Sequence, residues 1–290
     1  LELKRGGRTA RVETLGGELV SYRDERGLEY IWGGDPAYWP GRNPLLFPIV
    51  GMLKEGKIRF DGREYAMERH GFARRREFTP AARGEDWVRL ELRESAETLA
   101  LYPYSFRLAV EQRLTDTGFS TAVTVANPGE GPLPFCLGAH TGFRCPLEAG
   151  ERFEDYELVF PERESCPTLL LRDGLLDRPA ALPCLEDTDT LPLDYRWFDA
   201  LDTLIFEGLR SRSVTLRSRK SGRGVRVSFD GFPMLAFWTM PGKKAPYLCI
   251  EPWHGCSAGT GEGEEFTSKA HCIVLAPGES RTLAYRADTL

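Results

Sequence analysis

Along much of this 290-residue chain, apolar and polar side chains take turns, and a strict period of two suits a strand with one dry and one wet face. Val88, Leu90 and Leu92 alternate with Arg89, Glu91 and Arg93. The same pattern runs through Phe106–Val110, Phe119–Val125, Tyr156–Phe160, Val214–Leu216 and Val225–Phe229. The break between Leu216 and Val225 carries charges and two glycines, which predicts a hairpin turn. Thirty glycines and 20 prolines punctuate the chain too often for many long helices, so at most short helical turns are expected, as near Asp35–Trp39. The prediction is an all-β, antiparallel fold. At nearly three times the roughly 100 residues of an immunoglobulin-type sandwich, it suits an extended sandwich or a large barrel. No repeat or linker interrupts it, so residues 1–290 read as one domain. The acidic, proline-bearing stretch Leu169–Trp197 reads as a loop excursion within that domain.

Composition removes several functions. Forty-three acids against 38 bases leave a net charge of -5, which argues against a nucleic-acid partner. No stretch nears the roughly 20 apolar residues of a membrane span. Seven cysteines with no C-x-x-C pair predict mostly buried free thiols rather than a disulfide framework. With no basic start leading into an apolar run, the expected location is cytoplasmic. Cys249, His254, Cys256 and His271 match no standard zinc spacing, so no metal is expected. Imidazole chemistry must come from four histidines: His70, His140, His254 and His271.

Four segments depart from ordinary strand sequence. Arg42 and Asn43 precede a proline-bracketed apolar stretch ending at Gly51; Arg42 there is either a pocket residue or an exposed turn residue. His70 stands in Arg69-His70-Gly71-Phe72-Ala73-Arg74, where neighbouring arginines discourage a charge on the imidazole. A neutral His70 could bond a hydroxyl-rich ligand or the backbone. In Gly138-Ala139-His140, the glycine leaves space on the imidazole's side for a ligand or another backbone. Glu251 ends the apolar run Tyr247–Ile250, where a carboxylate is costly unless paired or functional. Trp253 is either core or an indole face beside that carboxylate, a pairing suited to a sugar ring.

In order, H-G-F-A-R, G-A-H-x-x-F and I-E-P-W-x-G resemble the galactose mutarotase-like (aldose 1-epimerase) superfamily, in particular its LacX-like branch. The resemblance runs from about Leu15 to the C-terminus. It implies a large antiparallel β-sandwich and a cofactor-independent isomerase that interconverts the α and β anomers of a free monosaccharide. By matching positions, Glu251 is the general base and His140 the general acid. His70 and Arg42 help hold the sugar, and Asp202, with Asp199 as its alternative, bonds a ring hydroxyl. The match departs at Met52 and at Gly142-Phe143, so it carries mechanism and not galactose as substrate. The expected state is a monomer or homodimer. Two other readings stand beside this one: a hexose-phosphate mutarotase using Arg69, Arg74, Arg75 and Arg76, and a carbohydrate-binding or sensing protein without turnover.

Overall fold

The computed structural model describes residues 1–178 and 180–290; Pro179 lies outside them. Strands form where the period of two is strongest. Trp87–Arg93 buries Val88, Leu90 and Leu92 and leaves Arg89 and Arg93 exposed. Arg107–Leu114 and Gly118–Ala126 alternate in the same way. Ser213–Ser218 and Gly224–Ser228 make the expected hairpin. Near Asp35, Tyr38 and Trp39 both donate their N–H groups to the Asp35 carbonyl, a hydrogen-bonded turn rather than a helix.

Among the described residues, fifteen strands join in one sheet whose paired neighbours are all antiparallel. The sheet starts at the short strand Leu45–Leu46. It then passes through Leu137–Ala139, Tyr247–His254, Met234–Trp238, Thr203–Glu207 and Tyr156–Arg172, and ends at Thr79–Arg83. The architecture is the expected all-β sandwich class. Its central strands depart from simple alternation. Thr203–Glu207, Met234–Trp238 and Tyr247–His254 are buried along almost their whole length. Their sequences are correspondingly continuous apolar runs, as strands covered on both faces must be. Leu248 and Ile250 enter the main core, while Tyr247 and Cys249 join a smaller cluster with Trp32, flanked by Trp39 and Trp238. No helix among the described residues is long and apolar enough to cross a membrane.

Leu169–Trp197 is not a loop excursion. Tyr156–Arg172 and Leu175–Pro192 form a long irregular hairpin, followed by the helix Tyr195–Leu201. Asp173 and Gly174 turn it, both at positive φ (53° and 78°), as a two-residue type I′ turn requires. The second strand pairs with the sheet along one side only, so the missing N–H groups of Pro183 and Pro192 cost the ladder little. The prolines suggested a loop; an edge strand tolerates them.

Candidate active site

The register of the sheet brings the two most suspect residues together. Leu137 and Gly138 pair with His254 and Trp253, and Thr141 and Gly142 pair with Ile250 and Cys249. Both pairings share one register, so His140, at the interruption between them, falls opposite Glu251. Directly opposed residues in antiparallel strands carry interacting side chains. His140 Nε2 lies 3.3 Å from Glu251 Oε1. The Trp253 indole N–H donates to Glu251 Oε2 at 3.2 Å. His140 Nδ1 has no hydrogen-bond partner among the described residues.

Both groups are buried, and burial disfavours charge. It raises the Glu251 carboxyl well above its usual range, and it lowers the His140 imidazole to about 3. Burial thus favours the uncharged state, in which the pair's single proton sits on Glu251. A carboxylate beside an imidazolium contains the same single proton, so the expected acid–base pair differs from this state only in where that proton sits.

The pair opens into a cavity of about 260 Å³. That is slightly below the range of about 300–1,000 Å³ typical for drug-sized ligands, and so suits a single small ring. His70 lines it, its ring edge-on to His140 at 5.6 Å. The Gly51 N–H donates to His70 Nδ1 at 3.1 Å, which requires a lone pair on Nδ1 and leaves the proton on Nε2. Burial first, then the neighbouring His140 imidazole, against which a second protonated ring would be repelled, and the Arg74 and Arg69 charges push the His70 imidazole well below its ordinary range. His70 is thus a neutral, oriented donor. Its backbone takes the left-handed φ of 66°, and Gly71 follows at 69°. A Cβ on Gly71 would stand 2.2 Å from the Phe47 carbonyl oxygen, so only glycine fits.

Asp202 lines the same cavity, just past the helix Tyr195–Leu201 and at a φ of 63° that few non-glycine residues adopt. Its Oδ2 accepts from the Thr203 hydroxyl at 2.8 Å. Asp199 instead accepts the Gly242 N–H at 2.7 Å and lines a neighbouring depression. Trp253 also lines the cavity, with its indole N–H directed to Glu251.

Two expectations are corrected. Arg42 does not line this cavity. Its Nε donates to the Gly33 carbonyl at 3.0 Å, and its side chain borders a separate depression with Arg11, Arg23 and Arg144. The space beside Gly138 takes neither ligand nor backbone. A Cβ there would stand 2.9 Å from Trp253 Cδ1 and 3.1 Å from Val50, so the missing side chain makes room for the indole.

Two aromatic residues of the cavity escaped the sequence reading. Trp39 stacks on His140 with ring centroids 4.8 Å apart, and Trp238 meets the same imidazole edge-on at 5.6 Å. Trp39 can lie there because Gly41 and Gly142 carry no Cβ; one on Gly142 would stand 3.0 Å from its ring. Nothing periodic marks Trp39, which comes from a turn. Trp238, closing a continuous apolar strand, reads as core. The hairpin turn contributes Gly174 and, beside it, Leu171 at the mouth.

The expected bystanders His254 and His271 are not among the cavity's lining residues. His254 Nδ1 contacts the His271 carbonyl, and His271 pairs with Glu207. The donor atoms of His140, Cys249 and Glu251 lie within 4.8 Å of one another, so a metal held there would occupy the acid–base pair itself.

A buried carboxyl–imidazole pair in a small cavity lined by aromatic rings, carried on an antiparallel β-sandwich, is the class of site this fold presents. The aldose 1-epimerase family model matches residues 1–287, and the chain belongs to that family. It is 41% identical to the plasmid-borne LacX protein of Lactococcus lactis subsp. lactis, over 98% of this chain and 97% of that one. The chromosomal LacX protein of the same organism is 40% identical. The fold also matches the galactose mutarotase related enzyme of Lactobacillus acidophilus, with a TM-score of 0.95 and 26% identity over 100% of this chain and 97% of that one. A galactose mutarotase-like protein of Lactobacillus casei gives 0.90 and 28%, over 100% and 99% of the respective chains.

Proposed function

We propose that the protein is a mutarotase that interconverts the α and β anomers of a free aldose, with Glu251 and His140 exchanging protons at C1. The 3.3 Å contact between His140 Nε2 and Glu251 Oε1 carries this reading. Anomer exchange removes a proton from the C1 hydroxyl and delivers one to the ring oxygen. A pair holding a single mobile proton can do both. Sugar hydroxyls solvate the charge-separated form, moving the proton from Glu251 to His140. Glu251 then takes the C1 hydroxyl proton while His140 protonates the ring oxygen. The ring opens, the aldehyde turns about C1–C2, and closure from the other face reverses the transfers. The indole N–H of Trp253 steadies the carboxylate, and His70 Nε2–H and Asp202, which line the same cavity, bond sugar hydroxyls.

Polarimetry on freshly dissolved aldoses tests the proposal. Mutarotation faster than buffer is expected for at least one common hexose, with a loss of about 10²–10⁴-fold in Glu251→Gln. Binding without acceleration for every sugar tried would establish a sensing protein instead.

One observation favours a phosphorylated substrate as a second reading. Arg69 lines the cavity, contacts Met52 Sδ at 2.7 Å, and has no carboxylate within ion-pair distance among the described residues. A lower KM for glucose 6-phosphate than for glucose, lost in Arg69→Ala, would select that reading.

A further inference from the structure

Two cysteines far apart in sequence meet across a short ribbon. Leu133 pairs with Leu275, Pro134 with Val274 and Phe135 with Ile273, so the next step of the register sets Cys136 against Cys272. These two do not exchange backbone hydrogen bonds. The Cys136 N–H donates to the Pro48 carbonyl at 2.8 Å, and the Cys272 N–H donates to the Lys269 carbonyl at 3.1 Å. Pro134 and Val274, two steps back, form a pair without a proline N–H, so the alternation carried one step past the ladder makes Cys136 and Cys272 a non-hydrogen-bonded position, at which antiparallel Cα atoms approach to about 4.5 Å. That lies within the window of about 4.4–6.8 Å that a disulfide spans. Cys136 is buried and Cys272 half-buried. The Cys136 sulfur packs against Gly255, where a Cβ would come within 2.7 Å of it. Lys269 is buried nearby with no hydrogen-bond partner on Nζ among the described residues, and its contact with Glu262 is 3.7 Å long.

We propose that Cys136 and Cys272 form a reversible dithiol–disulfide pair, a modification site separate from the sugar cavity, with Cys272 attacking and Cys136 resolving. Of the two, Cys272 is the less buried and so the one an oxidant reaches first. A hydrogen bond from Cys136 lowers the Cys272 thiol below its ordinary range, with the Lys269 charge assisting. The same hydrogen bond, then burial, raises Cys136. A small-molecule disulfide such as glutathione disulfide is the oxidant. The Cys272 thiolate attacks one of its sulfurs, breaking its S–S bond and releasing one glutathione thiolate. Cys136 then loses its proton and attacks the Cys272 sulfur, releasing the second. The protein gives up two electrons and two protons, and one disulfide becomes two thiols. Cys136 leads into Leu137–Ala139, so the bond would tether the end of the strand that runs to His140.

Peptide mapping of the native protein after equilibration with excess glutathione disulfide tests the pair. The expected product is a Cys136–Cys272 cross-link, with loss of Cys272 alkylation that dithiothreitol restores. In Cys136→Ser, Cys272 should instead carry glutathione; in Cys272→Ser, Cys136 should stay reduced. Recovery of both residues as free thiols at equilibrium, or Cys272 joined to a different cysteine such as Cys256, overturns the proposal.

Discussion

At the scale of single residues, the candidate site depends on where one proton sits. Burial raises Glu251 and lowers His140 to about 3, so a second proton reaches the pair only in strong acid. The singly protonated pair persists as pH falls past 6.5, the ordinary imidazole value, and is lost as pH rises through the raised value of Glu251. The kcat/KM for mutarotation, which reports the free enzyme, should stay flat from 6.5 down to the ordinary carboxylate value of 4.5. An acid limb starting near 6.5 would show that His140 titrates as an exposed histidine. Trp253→Phe keeps the aromatic bulk and removes the 3.2 Å hydrogen bond to Glu251. A hydrogen bond to a charged group contributes about 1.5–3 kcal/mol, so kcat should fall about 10-fold or more while KM changes little. The sequence marked Glu251, His140 and His70 because a carboxylate ending an apolar run and histidines beside glycines are locally anomalous. Trp39 and Trp238 carried no such mark, since an aromatic residue in a turn or core strand is ordinary.

At the scale of elements, the sheet register does the assembling. His140 and Glu251 are separated by 111 positions along the chain, yet one unbroken register sets them face to face. Gly138 keeps that alignment by admitting the Trp253 indole. Gly138→Ala would put a methyl 2.9 Å from the indole edge. Overpacking of this kind typically costs about 1–3 kcal/mol. A lower thermal midpoint together with a reduced rate is expected, because the displaced ring is the one bonded to Glu251; a variant with unchanged midpoint and rate would show the indole free to move. The long hairpin shows how an element signal can be outvoted. Asp-Gly between apolar runs is a strong hairpin cue, and it was present at Asp173-Gly174. Prolines and acids obscured it, though an edge strand accommodates both.

At the scale of the whole molecule, the cavity draws Trp39, His70, His140, Leu171, Asp202, Trp238 and Glu251 from most of the chain's length. No fragment can hold the site, so mutarotase activity and tryptophan fluorescence should be lost in one coincident urea transition. Activity lost well before fluorescence would indicate that the hairpin and its neighbours open independently of the sheet. The sequence by itself determined the all-β class, the family, and which carboxylate and histidines are chemically out of place. These are properties of local periodicity and local burial cost, which neighbouring residues encode. The tertiary structure decided the rest. It set His140 against Glu251, turned Arg42 toward Gly33 and away from the cavity, sent Asp202 rather than Asp199 into it, and closed it with two tryptophans. Those outcomes depend on strand register and on space left by distant glycines, and neither quantity is local in the chain.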